Sequence, residues 1–503
     1  MEINFYIPTK VIMKRNCVLD NSSLIASYGK KAMIVTGKHS ASLNGSLDDV
    51  EKALKAKNIE YVLFNKVMAN PTIDLVYEGA KIAVLEKVDF IIAIGGGSPM
   101  DAAKAIALLA KNDIKEEDLF TTTITNNVLP MIFIPTTAGT GSEVTEYSIL
   151  TNDKLETKST IASPYLFPNL ALLDGKYMNS LGKATTINTC LDALCHAIEG
   201  YLSIKATSLT KALSVEALKI IASEFDNLKA FNLTTDDRDK LLYASTLAGI
   251  VIAHCGTVAV HILGYSLTYY KKIDHGRANG LLLGKFLERV SAEKQELINE
   301  ILEALSMNSL KELEDKIDSL LGEKEKLTEE EIDNYATKGF AVPKLKNTII
   351  NLTKDDLKNI LEKSMRGWYF MESRNLKGTI EITKLISYNR LRTIDDPSCE
   401  GSSSEYLIYI DIKDAFRKSL SFKTPFHGHL FAYAVITPSM KGIFDEYGFT
   451  LKGVRVDLSD WDKQFVISLE ENAKEVQFYC SRDDVKFLLE HCLRIPEQRI
   501  SNK

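Results

Sequence analysis

The sequence predicts an α/β layer built on a parallel sheet, then an all-α layer, then a separate α+β segment. Three observations carry that reading. Short, almost wholly apolar runs alternate with amphipathic stretches up to about residue 180, the pattern of strands covered on both faces by helices. From about Lys183 the β signal fades and apolar residues recur at helical spacing. After Met365 short alternating runs return, separated by turn residues. The expected domains are therefore 1–180, 181–366 and 367–503.

Taken in order, Lys31-Ala-Met-Ile-Val-Thr-Gly37 reads as a buried strand ending in a glycine turn, and Leu47 to Lys57 as an amphipathic helix. Tyr61–Phe64 is a second strand. Asn70-Pro-Thr72 opens a helix from about Ile73 to Lys87, and Asp89–Ile94 is a third strand. Gly95-Gly-Gly-Ser-Pro-Met-Asp101 follows at once and opens a helix reaching about Leu109. Its residue types suit a phosphate cradle: glycines admit an anion close to backbone N–H groups. Ser98 is expected as the N-cap, Pro99 as the first helical residue and Asp101 as the third. A helix start then offers unpaired donors to a pyrophosphate. The run is not G-x-G-x-x-G, and a plain tight turn is the alternative. Another strand, Pro130–Pro135, leads into Thr136-Thr-Ala-Gly-Thr140-Gly-Ser142-Glu-Val-Thr145. Hydroxyls at the carboxyl end of a buried strand can reach phosphate and ribose oxygens, or can serve turn chemistry alone.

In the helical stretch, Asp192 and His196 stand four residues apart within an apolar periodicity of Leu191, Leu194, Ile198 and Leu202. On a helix both project from one face, where they can share a metal or merely be solvated. His261 and His275 follow downstream. With Asp192 and His196 they make an oxygen and three-nitrogen set that suits Fe²⁺ or Zn²⁺. Further helices are expected at Ala212–Phe225, Arg238–His254, Ala292–Leu305 and Asp356–Met365.

The bulk properties narrow the partners. A net charge of −6 argues against nucleic acid or an anionic membrane as the main partner. No apolar run spans a bilayer, and Met1-Glu-Ile-Asn-Phe lacks the features of a signal peptide. The seven cysteines form no C-x-x-C pair, so they read as reduced thiols of a cytoplasmic protein.

Gly95–Asp101, Thr136–Glu143, Asp192-Ala-Leu-Cys-His-Ala-Ile-Glu199 and His261-Ile-Leu-Gly-Tyr265 with His275-Gly276 together resemble the iron-containing alcohol dehydrogenases, over about residues 4–366. The resemblance implies a nucleotide-binding α/β domain and an α-helical domain, the architecture shared with dehydroquinate synthase. It implies Fe²⁺, replaceable by zinc or another divalent ion, on Asp192, His196, His261 and His275. It places Gly96, Gly97, Ser98, Asp101, Thr136, Thr137, Thr140 and Lys158 at the dinucleotide, and Asn70 and Ser142 are counted with them. Departures include Tyr265, where many members carry histidine, Cys190 in place of glycine, and Asp274 beside the fourth ligand. Tyr265 can relay a proton, with His261 beside it, or only line the pocket.

After the strand ending at Val35 there is no acid to repel a 2′-phosphate. Gly37 and Lys38 stand there instead, which favours NADP over NAD, unless Lys38 is an ordinary surface lysine. The expected activity is hydride transfer between a nicotinamide and a small alcohol or aldehyde, by a homodimer. Alternatives are a polyol dehydrogenase or dehydroquinate-synthase-like enzyme, and a dinucleotide-sensing scaffold.

Beyond Met365 the resemblance stops. Strands are expected at Thr379–Leu385, Tyr406–Ile412, Leu430–Ile436, Gly453–Leu458, Phe465–Leu469 and Val476–Cys480, with a loop at 395–404, a linker at 366–374, and a helix after Ser481 ending near Leu493. His427-Gly-His429 lacks neighbouring acids or thiols and reads as an ordinary pair. Docking of a partner is one use for this segment.

Overall fold

The computed structural model describes residues 3–125 and 127–365 in full, and beyond them the backbone of four short strands. The chain divides into two compact units, Met1–Met365 and Arg366–Lys503.

The first unit opens with a six-stranded parallel sheet. Its strands are β1 (Lys10–Met13), β2 (Lys31–Gly37), β3 (Glu60–Val67), β4 (Phe90–Gly95), β5 (Met131–Pro135) and, after a hairpin, β8 (Leu170–Leu173), in the order β1-β8-β5-β4-β2-β3. Alternate residues of each central strand enter opposite cores. Met33, Val35, Ile91, Ala93 and Phe133 share one core with Val76, Ala80, Ala103 and Ile106. Ile34, Ile92, Ile94, Ile132 and Ile134 share the other with Val50 and Leu54. Helices α1 (Ser46–Lys55), α2 (Ile73–Leu85) and α3 (Gly97–Leu109) supply those partners. Coverage on both faces is why β4 has no polar side chain. Truncating one of these residues, as in Ile92→Ala, costs about 2–5 kcal/mol.

The chain leaves β2 for β3 on one side of the sheet and fills β4, β5 and β8 on the other. The order therefore reverses between β2 and β4, and ligands of open α/β sheets settle at the carboxyl ends of strands flanking such a point. Gly37 and Gly95 are those two ends. A hairpin not expected from the sequence, β6 (Tyr147–Asn152) with β7 (Thr157–Ala162), runs antiparallel beside the sheet.

Helices take over at Lys183: α4 (Lys183–Tyr201), α5 (Ser208–Ser223), α6 (Thr235–Cys255), α7 (Ala259–Lys271), α8 (His275–Ala304), α9 (Leu310–Leu321), α10 (Glu329–Phe340) and α11 (Lys354–Met365). The expected helix Ala292–Leu305 is the second part of α8, which breaks at Lys294. α6 and α7 meet at a 106° bend, eased by Gly256 at φ 65°, and no single described helix is long and apolar enough to cross a membrane. In the second unit β9 (His429–Ala432), β10 (Val454–Asp457), β11 (Val466–Glu471) and β12 (Lys474–Phe478) form an antiparallel sheet in the order β12-β11-β10-β9. The strands expected at 379–385 and 406–412, the loop 395–404, the linker 366–374, His427 and the helix after Ser481 lie outside the described residues.

Candidate active site

α4 is buried along nearly its whole length, so Asp192 and His196 face inward rather than to solvent. Around Asp192 Oδ1 stand His261 Nε2 at 3.4 Å, His275 Nε2 at 3.9 Å and His196 Nε2 at 4.0 Å. Asp192, His261 and His275 each offer a ligand atom within 4.8 Å of the others. The His196 ring stacks on His261 at 4.6 Å, and His196 Nδ1 is held by the Gly139 carbonyl at 3.1 Å. Asn279 Nδ2 donates to Asp192 Oδ1 at 2.8 Å and fixes the carboxylate. His275 is the first residue of α8, and its neighbour Asp274 is tied down by Asn188 Nδ2 at 2.8 Å.

Glu199 stands behind His261. Its Oε2 meets His261 Nδ1, while its Oε1 accepts the backbone N–H groups of Val260 at 2.7 Å and Val258 at 3.1 Å. That leaves His261 Nε2 turned to the cluster, buried and without a hydrogen-bond partner. His275 Nδ1 is also buried and unpaired, while its Nε2, the nitrogen near Asp192, has Asn279 Nδ2 at 3.3 Å. Orphaned buried nitrogens are costly unless something else satisfies them. Unpaired imidazole nitrogens around a buried carboxylate, one oriented from behind by a second carboxylate, fit a divalent cation.

The electrostatics agree. Burial works against the charge of Asp192, yet the three imidazoles hold its carboxyl far below the usual range. Burial drives His196 down to about 4 and His275 well below its ordinary value. Burial also disfavours charge on His261, but Glu199 and Asp192 overcome it and raise that group to about 9. The field that favours a proton there equally favours a metal cation.

The second half of the site is the loop pair after β4 and β5. Gly96, not Ser98, caps α3, which begins at Gly97, so the expected capping is corrected. The Ser98 hydroxyl instead accepts the Asn70 N–H at 3.2 Å, and Pro99 still falls in the first turn, where no N–H is needed. Asp101 lies two residues deeper in the helix than expected and accepts from Ser142 Oγ at 2.8 Å. A Cβ on Gly96 would meet Thr137 Oγ1 at 2.8 Å, and one on Gly97 would meet Thr140 Cγ2 at 2.8 Å. The glycines thus let the two loops close on each other. Beneath them buried Lys104 donates to Ser142 Oγ and the Tyr147 carbonyl, both at 2.8 Å, and to Thr145 Oγ1 at 3.2 Å. Burial lowers its amine to about 8 and raises Asp101 to about 6.

A cavity of about 410 Å³ joins the halves. It brings together Asn70, Gly97, Ser98, Asp101, Thr140, Ser142 and Lys158 with Tyr265 and the Asp192, His196, His261 and His275 cluster. Gly37, Lys38, Gly96, Thr136 and Thr137 are not on its wall: Lys38 is exposed, Thr136 is buried with its N–H on the Gly95 carbonyl at 2.9 Å, and Gly37 lies at the end of β2. Lys158 reaches the cavity from the hairpin, its ammonium 5.8 Å above the Tyr265 ring and its pKa lowered to about 8 by burial. Tyr265 stacks on His275 at 5.6 Å, and burial raises its hydroxyl pKa.

Glu199, Asn279 and Lys104 were missed by sequence reasoning. A signal existed: Glu199 follows Asp192 by seven and His196 by three, and Asn279 follows His275 by four, so each shares a helix face with a predicted ligand.

A sheet whose glycine turn lies at the strand-order reversal, facing helices that carry a buried Asp/His cluster, defines a dinucleotide-dependent, metal-bearing oxidoreductase class. Residues 8–175 match the family description "Iron-containing alcohol dehydrogenase", and 186–365 match "Fe-containing alcohol dehydrogenase family, C-terminal". The NAD-dependent methanol dehydrogenase of Bacillus methanolicus is 32% identical over 282 residues, 55% of this chain and 73% of that protein. The NADPH-dependent butanol dehydrogenase of Clostridium saccharobutylicum is 32% identical, covering 59% of this chain and 77% of its own. An iron-containing alcohol dehydrogenase from Thermotoga maritima superposes with a TM-score of 0.67 at 39% identity, covering 72% of this chain and 99% of that one. The chain belongs to the iron-containing alcohol dehydrogenase family, whose members use iron and NAD(P).

Proposed function

We propose that the protein interconverts small alcohols and aldehydes with a nicotinamide dinucleotide, R–CHO + NAD(P)H + H⁺ giving R–CH₂OH + NAD(P)⁺. The observation that carries this is the orphaned His261 Nε2, buried beside Asp192 and braced by Glu199, on the wall of the cavity that Gly97 and Ser98 also line. Asp192, His196, His261 and His275 would hold the metal. The chemistry supplied by the bound groups is Lewis acidity toward the substrate oxygen and hydride exchange at the carbinol carbon.

This chain's own residues do the rest. Glu199 fixes the tautomer and direction of His261, and Asn279 the direction of Asp192. Ser98, Thr140 and the backbone at the start of α3 offer donors to dinucleotide phosphates. Lys158 bridges the halves, near Asp101 on one side and Asp192 on the other. Tyr265, stacked on His275, walls the pocket and keeps its proton.

Gly37, Gly96, Thr136 and Thr137 belong to this proposal as the outer and supporting parts of the dinucleotide site, with Lys38 as the cation that favours NADP. So do the domain limits 1–180, 181–366 and 367–503, a cytoplasmic setting, and a partner-docking use of 367–503. A homodimer is supported by exposed apolar residues Phe5, Tyr6 and Val11 at the β1 edge of the sheet. The test is a panel of alcohols and aldehydes assayed with NAD(H) and NADP(H) after anaerobic loading with Fe²⁺. Turnover of none of them would contradict the reading.

A further inference from the structure

The half of the cavity built by the helices is not the apolar slot that a simple alkanol would call for. Lys205 and Lys344 both line it, together with Thr257 and Asn347. Backbone pairing holds the two lysines side by side although they are far apart in sequence. Ile204 N–H donates to the Asn347 carbonyl at 2.8 Å, Ile349 N–H to the Leu202 carbonyl at 2.9 Å, and Ser203 bridges Thr348. The Lys344 ammonium donates to Thr257 Oγ1 at 2.9 Å, and among the described residues neither lysine is in an ion pair with a carboxylate.

The site has been shaped around Lys344. Gly256, at φ 65°, turns the chain between α6 and α7, and a Cβ there would stand 3.2 Å from Lys344 Cε. A side chain at 256 would therefore push the lysine stem off the turn. Much of the Lys344 residue is open to solvent, but crowding about its amine, followed by the Lys205 charge, lowers its pKa against the pull of Glu199. Glu199 is the acid whose charge acts on it, and that carboxylate is already committed to His261 and the Val258 and Val260 N–H groups.

His254 adds a wall but no charge. Its Nδ1 faces the Ile250 carbonyl at 2.8 Å and must donate, while its Nε2 accepts the Tyr6 N–H at 2.9 Å; the ring is also stacked on Phe5 at 4.3 Å. Both nitrogens are used by the neutral ring, leaving the two lysines as the cations of this end.

The geometry points to a substrate class: a short aldehyde or alcohol bearing an anionic head group, carboxylate, sulfonate or phosphate, whose head is held between Lys205 and Lys344 while its carbonyl reaches the Asp192 cluster. The inference rests on the reading of the cavity as the substrate site. The head group is unchanged in the reaction; it contributes binding and orientation, and a charge-assisted contact to an ammonium is roughly twice as strong as a neutral one. Two ammoniums with no carboxylate ion pair among the described residues, at the end of a partly enclosed cavity, would also draw anions in, an attraction weakened by salt.

The test compares matched pairs on the full chain: 4-oxobutanoate against butanal, and 2-oxoethanesulfonate and 2-phosphooxyethanal against propanal. The anionic member should have a kcat/KM higher by about tenfold or more, mainly through KM, and only its rate should fall with ionic strength. Which anion leads tells the carboxylate, sulfonate and phosphate arms apart. Lys344→Ala and Lys205→Ala should each shrink the preference, and the double variant should abolish it. A readout free of turnover is calorimetric binding of butanoate, ethanesulfonate or ethyl phosphate, expected for the parent and lost in the double variant. Anion binding without turnover of any aldehyde would uphold this site while overturning the proposed activity. Turnover with equal rates for charged and neutral aldehydes, or an anion affinity unmoved by the double variant, would overturn the inference.

Discussion

Glu199 Oε2 is set directly behind His261 Nδ1, with the other oxygen anchored by the Val258 and Val260 N–H groups. One carboxylate therefore ties α4 to the start of α7 and aims an imidazole at Asp192. Glu199→Gln keeps the shape and loses the charge. It should weaken metal binding about 10- to 100-fold with little change in melting temperature. Glu199→Ala also strands buried N–H groups, at about 1–3 kcal/mol each, and should melt earlier. Metal titration and thermal melts of both variants separate the two effects.

Gly97 lies where the loops after β4 and β5 close. Gly97→Ala would put a methyl 2.8 Å from Thr140 Cγ2, and relief of that overlap costs about 1–3 kcal/mol. Dinucleotide affinity should fall while bound metal per chain stays constant. Equal dinucleotide affinity in fluorescence titrations of the two proteins would place the nucleotide elsewhere.

Gly37 ends β2 beside the strand-order reversal, and a Cβ there meets nothing nearer than the Val67 carbonyl at 3.3 Å. Gly37→Asp should therefore fold once the Val67 carbonyl gives by a few tenths of an ångström and, on the proposed dinucleotide site, place a carboxylate near the adenosine ribose. Preference should move from NADP toward NAD by about 1–3 kcal/mol. Ratios of kcat/KM for the two cofactors measure it, and an unchanged ratio argues against the assignment of Gly37 and Lys38.

The family match ends at residue 365, where α11 has just buried Leu357, Ile360, Leu361 and Met365 in the helical core. A chain stopped after Met365 should fold, bind metal and reduce aldehydes within about threefold of the full chain, since the first unit has its own core. Insolubility of the short form would show that residues 366–503 complete that core.

What was legible in the sequence follows from burial. β2 and β4 are covered on both faces, so their runs are continuously apolar and bounded by glycine. The β6–β7 hairpin was illegible because two of the three buried residues of Tyr147–Asn152, Ser148 and Asn152, are polar, so the alternation in burial does not show as an alternation of apolar and polar residues. The start of α3 was misplaced by two residues because Ser98 has the chemistry of a cap, yet its hydroxyl is taken by Asn70. Of the candidate metal cluster, only Asp192 and His196 were visible as spacing within α4; His261 and His275 come from two later helices and were read as downstream histidines. Lys104, Lys205 and Lys344 were not visible, since a lysine brought to a cavity by tertiary contacts looks like any surface lysine in a single sequence.

The most direct measurement is metal per chain and aldehyde turnover, taken together with dinucleotide affinity, for the parent and Asp192→Ala after anaerobic loading with Fe²⁺. The parent should carry one metal ion and turn over. The variant should lose both while its dinucleotide affinity stays within about twofold, because the proposed dinucleotide site is on the loops after β4 and β5. Full turnover by metal-free Asp192→Ala would contradict the account at its centre.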